Sequence, residues 1–172
     1  MERRRRGWRR ALTLVAGAVA LGGGRAAAPL AVDLTRAPYV LDGTGFEGDL
    51  DRYRLLLPPS RQALYREVTD DALARAWKAR FPGAERATGG DAVRVRVVAV
   101  IPTLDLWQLL RITSLDLKVR LQVRWASCTS QVSVEGALSG AALNADGVTT
   151  TREGVAALVR RLPDTLTLPG CD

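Results

Sequence analysis

The sequence predicts a single α+β domain: an antiparallel sheet of three to four strands packed against one long helix and a shorter C-terminal helix. Three observations predict it. Leu115, Leu117, Val119, Leu121, Val123 and Trp125 alternate with Asp116, Lys118, Arg120, Gln122, Arg124 and Ala126. A period of two puts these sets on opposite faces of a β-strand, one dry and one wet. Val93, Val95, Val97, Ala99 and Ile101 make a similar row before it, and Val132, Val134 and Leu138 one after it. Over residues 60–80 and 151–162 the apolar residues recur at helical spacing instead.

The first 26 residues read as a cleavable signal peptide. Met1 to Arg10 holds six arginines and one acid, and the next 14 residues, Ala11 to Gly24, are apolar or small. A basic start, a short apolar run and small residues at the cut describe a secretory leader. The run is well short of the ~20 residues that span a bilayer. Cleavage after Ala26 is expected, because cleavage after Ala28 would put Pro29 just past the cut. Arg9-Arg10-Ala-Leu-Thr-Leu resembles a twin-arginine export signal, and an ordinary basic leader is the other reading. Residues 27–172 are then the folded domain, periplasmic or secreted, with no transmembrane span after cleavage.

Removing the leader changes the charge balance. The whole chain carries 25 basic and 18 acidic residues; taking away the leader's seven arginines and one glutamate leaves a net charge near +1. The basic character belongs mostly to the export signal and is no evidence for nucleic-acid binding.

Along the domain, residues 37–41 read as a short strand, 42–51 as a glycine- and acid-rich loop, and 53–57 as extended before Pro58 and Pro59. Ser60 is the expected N-cap of a helix running to about Arg80. Tyr65, Val68, Ala72 and Ala76 share its buried face, with Leu64 and Leu73 flanking. Strands are expected at residues 92–101, 115–126 and 131–142, the last two as an antiparallel hairpin turning at Cys128-Thr129-Ser130. Residues 144–147 make a further turn. Thr150-Thr-Arg-Glu153 matches a capping box for a helix that Pro163 stops.

Cys128 and Cys171 are the only cysteines. In an exported protein they most simply form one disulfide, and closing that loop contributes roughly 4 kcal/mol in the chain-entropy model.

Several chemistries are excluded or weakly signalled. The chain has no histidine, which removes the usual nucleophile triads and most zinc sites. Gly43, Gly45 and Gly48 fit GxGxxG. However, two prolines follow and the remainder reads as antiparallel strands, so no cofactor is expected. Asp42, Glu47, Asp49 and Asp51 crowd one loop. They suggest calcium or, as paired carboxylates, glycoside hydrolysis; solvated loop acids are the alternative. Asp70 and Asp71 form another close pair. Lys118, Arg120 and Arg124, extended by Arg94 and Arg96, offer a cationic face to an anionic lipid, a glycan or a protein. A solvated sheet face that resists edge aggregation is the alternative. The 104–112 segment, centred on Trp107, is either core or an exposed docking patch.

The order of leader, short strand, helix, three long strands and final helix resembles the small α+β envelope proteins of Gram-negative bacteria. The lipopolysaccharide-assembly lipoprotein is of this type. The resemblance is one of layout and covers most of the domain. It implies an accessory role in envelope assembly or transport, and no functional residue carries over. Those lipoproteins are lipidated on a cysteine after a Leu-small-small triplet. Here Gly24 follows Leu21-Gly22-Gly23, so lipid attachment is not expected. The resulting expectation is an exported, non-catalytic protein that binds an envelope protein or an anionic lipid or glycan. A carboxylate-dependent hydrolase of envelope glycans and a membrane-surface protein are the alternatives.

Overall fold

A computed structural model describes residues 29–54, 57–103, 105, 107, 117–126, 128, 130–138 and 147–169. The leader with its cleavage site, most of the 104–116 connection, the 144–146 turn and Cys171 lie outside these residues.

The long alternating rows form the centre of the fold. β4 (Val93–Val100), β5 (Leu117–Trp125) and β6 (Gln131–Leu138) are consecutive antiparallel neighbours, with Val97 opposite Leu121 and Leu121 opposite Val134. Val95, Val97, Ala99, Leu121 and Val123 are fully buried. Each large side chain among them contributes about 1.5–3 kcal/mol by leaving water. The expected hairpin of β5 and β6 is present.

Two helices cover this dry face. α1 (Pro59–Arg80) buries Tyr65, Thr69, Ala72, Leu73 and Trp77. α2 (Gly147–Arg160) packs along α1 and against β6, and buries Thr151, Val155, Leu158 and Val159. Gly136 of β6 is required here: a Cβ there would stand 2.8 Å from Leu158 Cδ2. The chain is therefore α+β, with a long helix and a C-terminal helix against a sheet.

The sheet is larger and more mixed than the sequence pattern implies. β2 (Tyr39–Leu41) and β3 (Gly45–Glu47) lie end to end along the free side of β4, both parallel to it. This makes a five-stranded sheet. The 42–51 stretch is thus a strand followed by a 3₁₀ helix (Leu50–Tyr53), not a loop throughout. Gly48, with φ +110°, is where the chain leaves β3; a Cβ there would meet Ile101 O at 2.8 Å. β2 and β3 are each pinned beneath α1 by an aromatic. Tyr39 stacks on Trp77 at 5.6 Å between centroids, and Phe46 on Tyr65 at 5.6 Å.

A second, two-stranded sheet joins the two ends of the domain. β1 (Leu30–Asp33) pairs antiparallel with β7 (Thr165–Leu168), and Val32, Leu166 and Leu168 are buried. The tail is therefore a strand.

The helix boundaries and faces also differ from the sequence reading. Pro58 holds the N-cap position of α1 without a side-chain hydrogen bond, and Pro59 begins the helix, where its missing N–H costs nothing. Ser60 lies inside the helix. Leu64 is 52% exposed, while Trp77 is buried at 1%. α2 begins at Gly147, so Thr150 is interior and the expected capping box does not start this helix.

The Tyr65 hydroxyl is buried on α1 without a well-formed hydrogen bond. Burial pushes its pKa up to about 12, with Thr69 pulling weakly the other way. An unfolded tyrosine ionises near ~10. Between these values the unfolded chain loses its proton and the folded chain keeps it. Stability is therefore complete below pH 10 and falls as pH rises towards 12. Tyr65→Phe should match the parent within about 1 kcal/mol at pH 7, since it deletes an unpaired buried hydroxyl. It should lose roughly 2–3 kcal/mol less between pH 10 and 12, as read by urea unfolding across that range.

Candidate functional site

The polar face of the sheet brings together two features that look separate in sequence: the basic strand and the acidic loop. Arg94 on β4 stands directly opposite Arg124 on β5. Like charges in that position repel. The gap between β2 and β3 resolves the conflict. Asp42 N–H donates to Val95 O at 2.9 Å, holding the carboxylate over the strands. Asp42 then accepts from Arg94 Nη1 at 2.9 Å and lies 3.9 Å from Arg124 Nη2. Two residues on, Thr44 turns inward. Its N–H and hydroxyl both donate to Asp70 Oδ1 on α1, at 2.8 and 2.5 Å. One interruption in the edge strand therefore ties the outer face to the inner helix.

The remaining groups extend this arrangement. Arg120 bridges Glu47 on β3 and Glu135 on β6, each at 3.1 Å. Arg96 Nε donates to Gln122 Oε1 at 2.7 Å. Gln122 and Val98, on the same face, are buried at 6% and 5%. Lys118 is exposed at the β4–β5 connection end, opposite Val100.

The other acids have partners as well. Asp49 accepts from Arg52 N–H at the start of the 3₁₀ helix and pairs with the Arg52 side chain at 3.1 Å. Asp51 pairs with Arg54 at 2.9 Å. Asp71 lies between Arg75 at 2.9 Å and Arg152 of α2 at 3.4 Å, a bridge between the helices. Asp42, Glu47, Asp49, Asp51 and Asp71 thus each have an arginine beside them, and Asp70 is held by Thr44. Among the described residues no group of three His, Cys, Asp or Glu side chains is placed to hold a metal. The GxGxxG glycines serve a strand and a tight crossing against Ile101 rather than the mouth of a long helix.

Trp107 is the exception to this self-satisfaction. It is 74% exposed, the most exposed large hydrophobic side chain among the described residues. The connection that carries it leaves β4 at a firmly held point. Ile101 N–H donates to Glu47 O at 2.7 Å, and the Tyr53 hydroxyl donates to Pro102 O at 2.6 Å. The core reading of the 104–112 segment therefore does not hold for Trp107. A shallow groove of about 400 Å³ runs along β1 beside Trp125, with Asp33 and Arg36 as its charged groups. None of Trp107, Lys118, Arg120 and Arg124 lines it. No helix among the described residues is long and apolar enough to cross a membrane.

No protein family matches the chain, and no curated protein does. A solved structure, a point variant of the PelC dodecamer from Paraburkholderia phytofirmans, is similar over 78% of this chain and 91% of that chain. Its identity is 10% and its TM-score 0.42, a likeness too slight to bear on fold or function.

Replacing Asp42 with Asn should expose the repulsion between Arg94 and Arg124. The expected loss is about 1 kcal/mol at low salt, shrinking towards zero at molar salt. Adding Arg124→Gln should restore most of it, as read by denaturant unfolding of the double-mutant cycle.

Proposed function

We propose that the chain is exported and acts by binding a protein of the cell envelope, with the β4–β5 connection around Trp107 as its docking element. The observation that carries this reading is the exposure of Trp107 in an apolar stretch of sequence that also holds Leu104, Leu106, Leu109, Leu110 and Ile112. A large aromatic left in water on an otherwise near-neutral domain is a typical anchor of protein interfaces.

Charge favours a protein over an anionic membrane. The exit of the connection is bordered by closed pairs, Glu47 with Arg120, Asp49 with Arg52 and Asp51 with Arg54. Such a border suits the polar rim of a protein interface around an apolar centre, and it offers little net attraction to phosphate headgroups. The outer sheet face reads in the same direction, because its arginines are already engaged by Asp42, Glu47 and Glu135. Export rests on the basic and apolar leader, and the accessory envelope role on the resemblance of layout.

Trp107→Ala should weaken binding to an envelope partner by about 30-fold or more, the scale of an aromatic anchor, with the unfolding midpoint unchanged. Leu64→Ala, the change at an exposed leucine of α1, should leave binding intact. Titration of each purified variant against the isolated partner reads the difference. Binding that survives Trp107→Ala removes the docking element. Binding to phosphatidylglycerol vesicles that depends on Trp107 and Lys118 would replace the protein partner with a membrane surface.

A further inference from the structure

We propose that the outer edge of β6 is a strand-pairing surface for a second copy of this chain, and that Arg161 holds it shut. The surface is independent of Trp107. β6 is the last strand of its sheet, and among the described residues no strand pairs with its far side. The backbone groups along that side follow from the ladder. Ala126 N–H donates to Ala92 O at 3.0 Å, one step beyond the Val93–Trp125 pair. Hydrogen-bonded and non-bonded pairs alternate in an antiparallel ladder. Arg124, Gln122 and Arg120 therefore point their N–H and C=O groups at β4. Val123, Leu121 and Val119 point theirs at β6, where they meet Val132, Val134 and Gly136. Gln131, Ser133, Glu135 and Ala137 are left with N–H and C=O groups facing outward.

Arg161 occupies this row. It lies in the turn that ends α2 and donates from Nη1 to Glu135 O at 3.0 Å. The bond agrees with the ladder, which turns that carbonyl away from β5. Both residues are exposed, so water replaces the guanidinium at little cost when Arg161 swings away. Charged side chains commonly shield open strand edges in this way.

The row is complementary to itself, which selects a second copy as its occupant. Two β6 strands laid antiparallel about Ser133 place Gln131 opposite Glu135 of the second copy, amide against carboxylate on the wet face. On the dry face Val132 meets Val134 of the second copy; both valines are partly buried at the margin of the core. Centring the pair on Glu135 would instead bring two carboxylates together, which is destabilising. In the Ser133-centred register, Ser133 and the Gln131–Glu135 pairs on either side exchange backbone hydrogen bonds across a two-fold axis. Glu135 O must then accept from Gln131 N–H of the second copy, and it is the carbonyl that Arg161 holds.

Sedimentation equilibrium of the full chain tests this. Arg161→Ala should tighten self-association by about tenfold or more over the parent, since it releases one acceptor in each copy. Hydrogen exchange should show the Ser133 and Glu135 amides protected in the dimer and open in the monomer. Adding Ser133→Pro should abolish the dimer while keeping the parent's unfolding midpoint, because the N–H it removes faces outward rather than β5. An Arg161→Ala chain that folds like the parent and stays monomeric overturns the surface. A dimer that leaves the β6 amides open, or that survives Ser133→Pro, overturns it as well. A parent that already pairs through β6 as tightly as Arg161→Ala overturns the role of Arg161.

Discussion

Burial of one face of the β4–β5–β6 sheet beneath α1 and α2 is the constraint on which the rest of the structure depends. Val95, Val97, Leu121 and Val123 have no exposed surface, and side chains in a strand alternate strictly. Once these face the helices, Arg94, Arg96, Arg120, Gln122 and Arg124 must all face the other way. The dry side thereby creates the crowding of positive charge on the wet side. Arg94 opposite Arg124 is its sharpest point, and Asp42, Glu47 and Glu135 are the neutralising groups.

This coupling explains the shape of the edge beside β4. β2 and β3 could have been one strand, but the chain breaks at residues 42–44. The break sends the Asp42 carboxylate outward to the arginines and Thr44 inward to Asp70. The short parallel strands, the turn at Gly48 and the acids between them all serve the same edge. Charges that invite a catalytic or metal-binding reading in sequence become counter-ions in space.

The parts legible in sequence were those whose evidence is local. The alternating rows of β4, β5 and β6 and the span of α1 follow from periodicity within each segment. The rest depends on distant partners. β3 is a strand because β4 lies beside it, and Gly-Phe-Glu alone carries no such signal. Thr165-Leu166-Thr167-Leu168 does alternate, but four residues settle nothing until Leu30–Asp33 is known to face them. Asp42 and Arg94 are 52 residues apart, and Glu47 and Arg120 are 73 apart, so loop acids and strand bases read as unrelated features. Trp77 directly follows Ala76, the last residue of the stripe assigned to α1, and lies one turn after the flanking Leu73; its burial follows from stacking on Tyr39 and on Phe81, at 4.8 Å. The exposure of Trp107 could not be read from its apolar neighbours, which suit a core equally well.

A domain whose charges are mutually satisfied on one face, and whose core is closed on the other, directs attention to the connection leaving β4. Site-specific photo-crosslinking in intact cells tests that most directly, with the reactive residue placed in turn at positions 107, 124 and 64. A discrete adduct from position 107, and none from 124 or 64, is the predicted result. Adducts from position 124 with none from 107 would contradict it, and would return the basic sheet face to the centre of the protein's function.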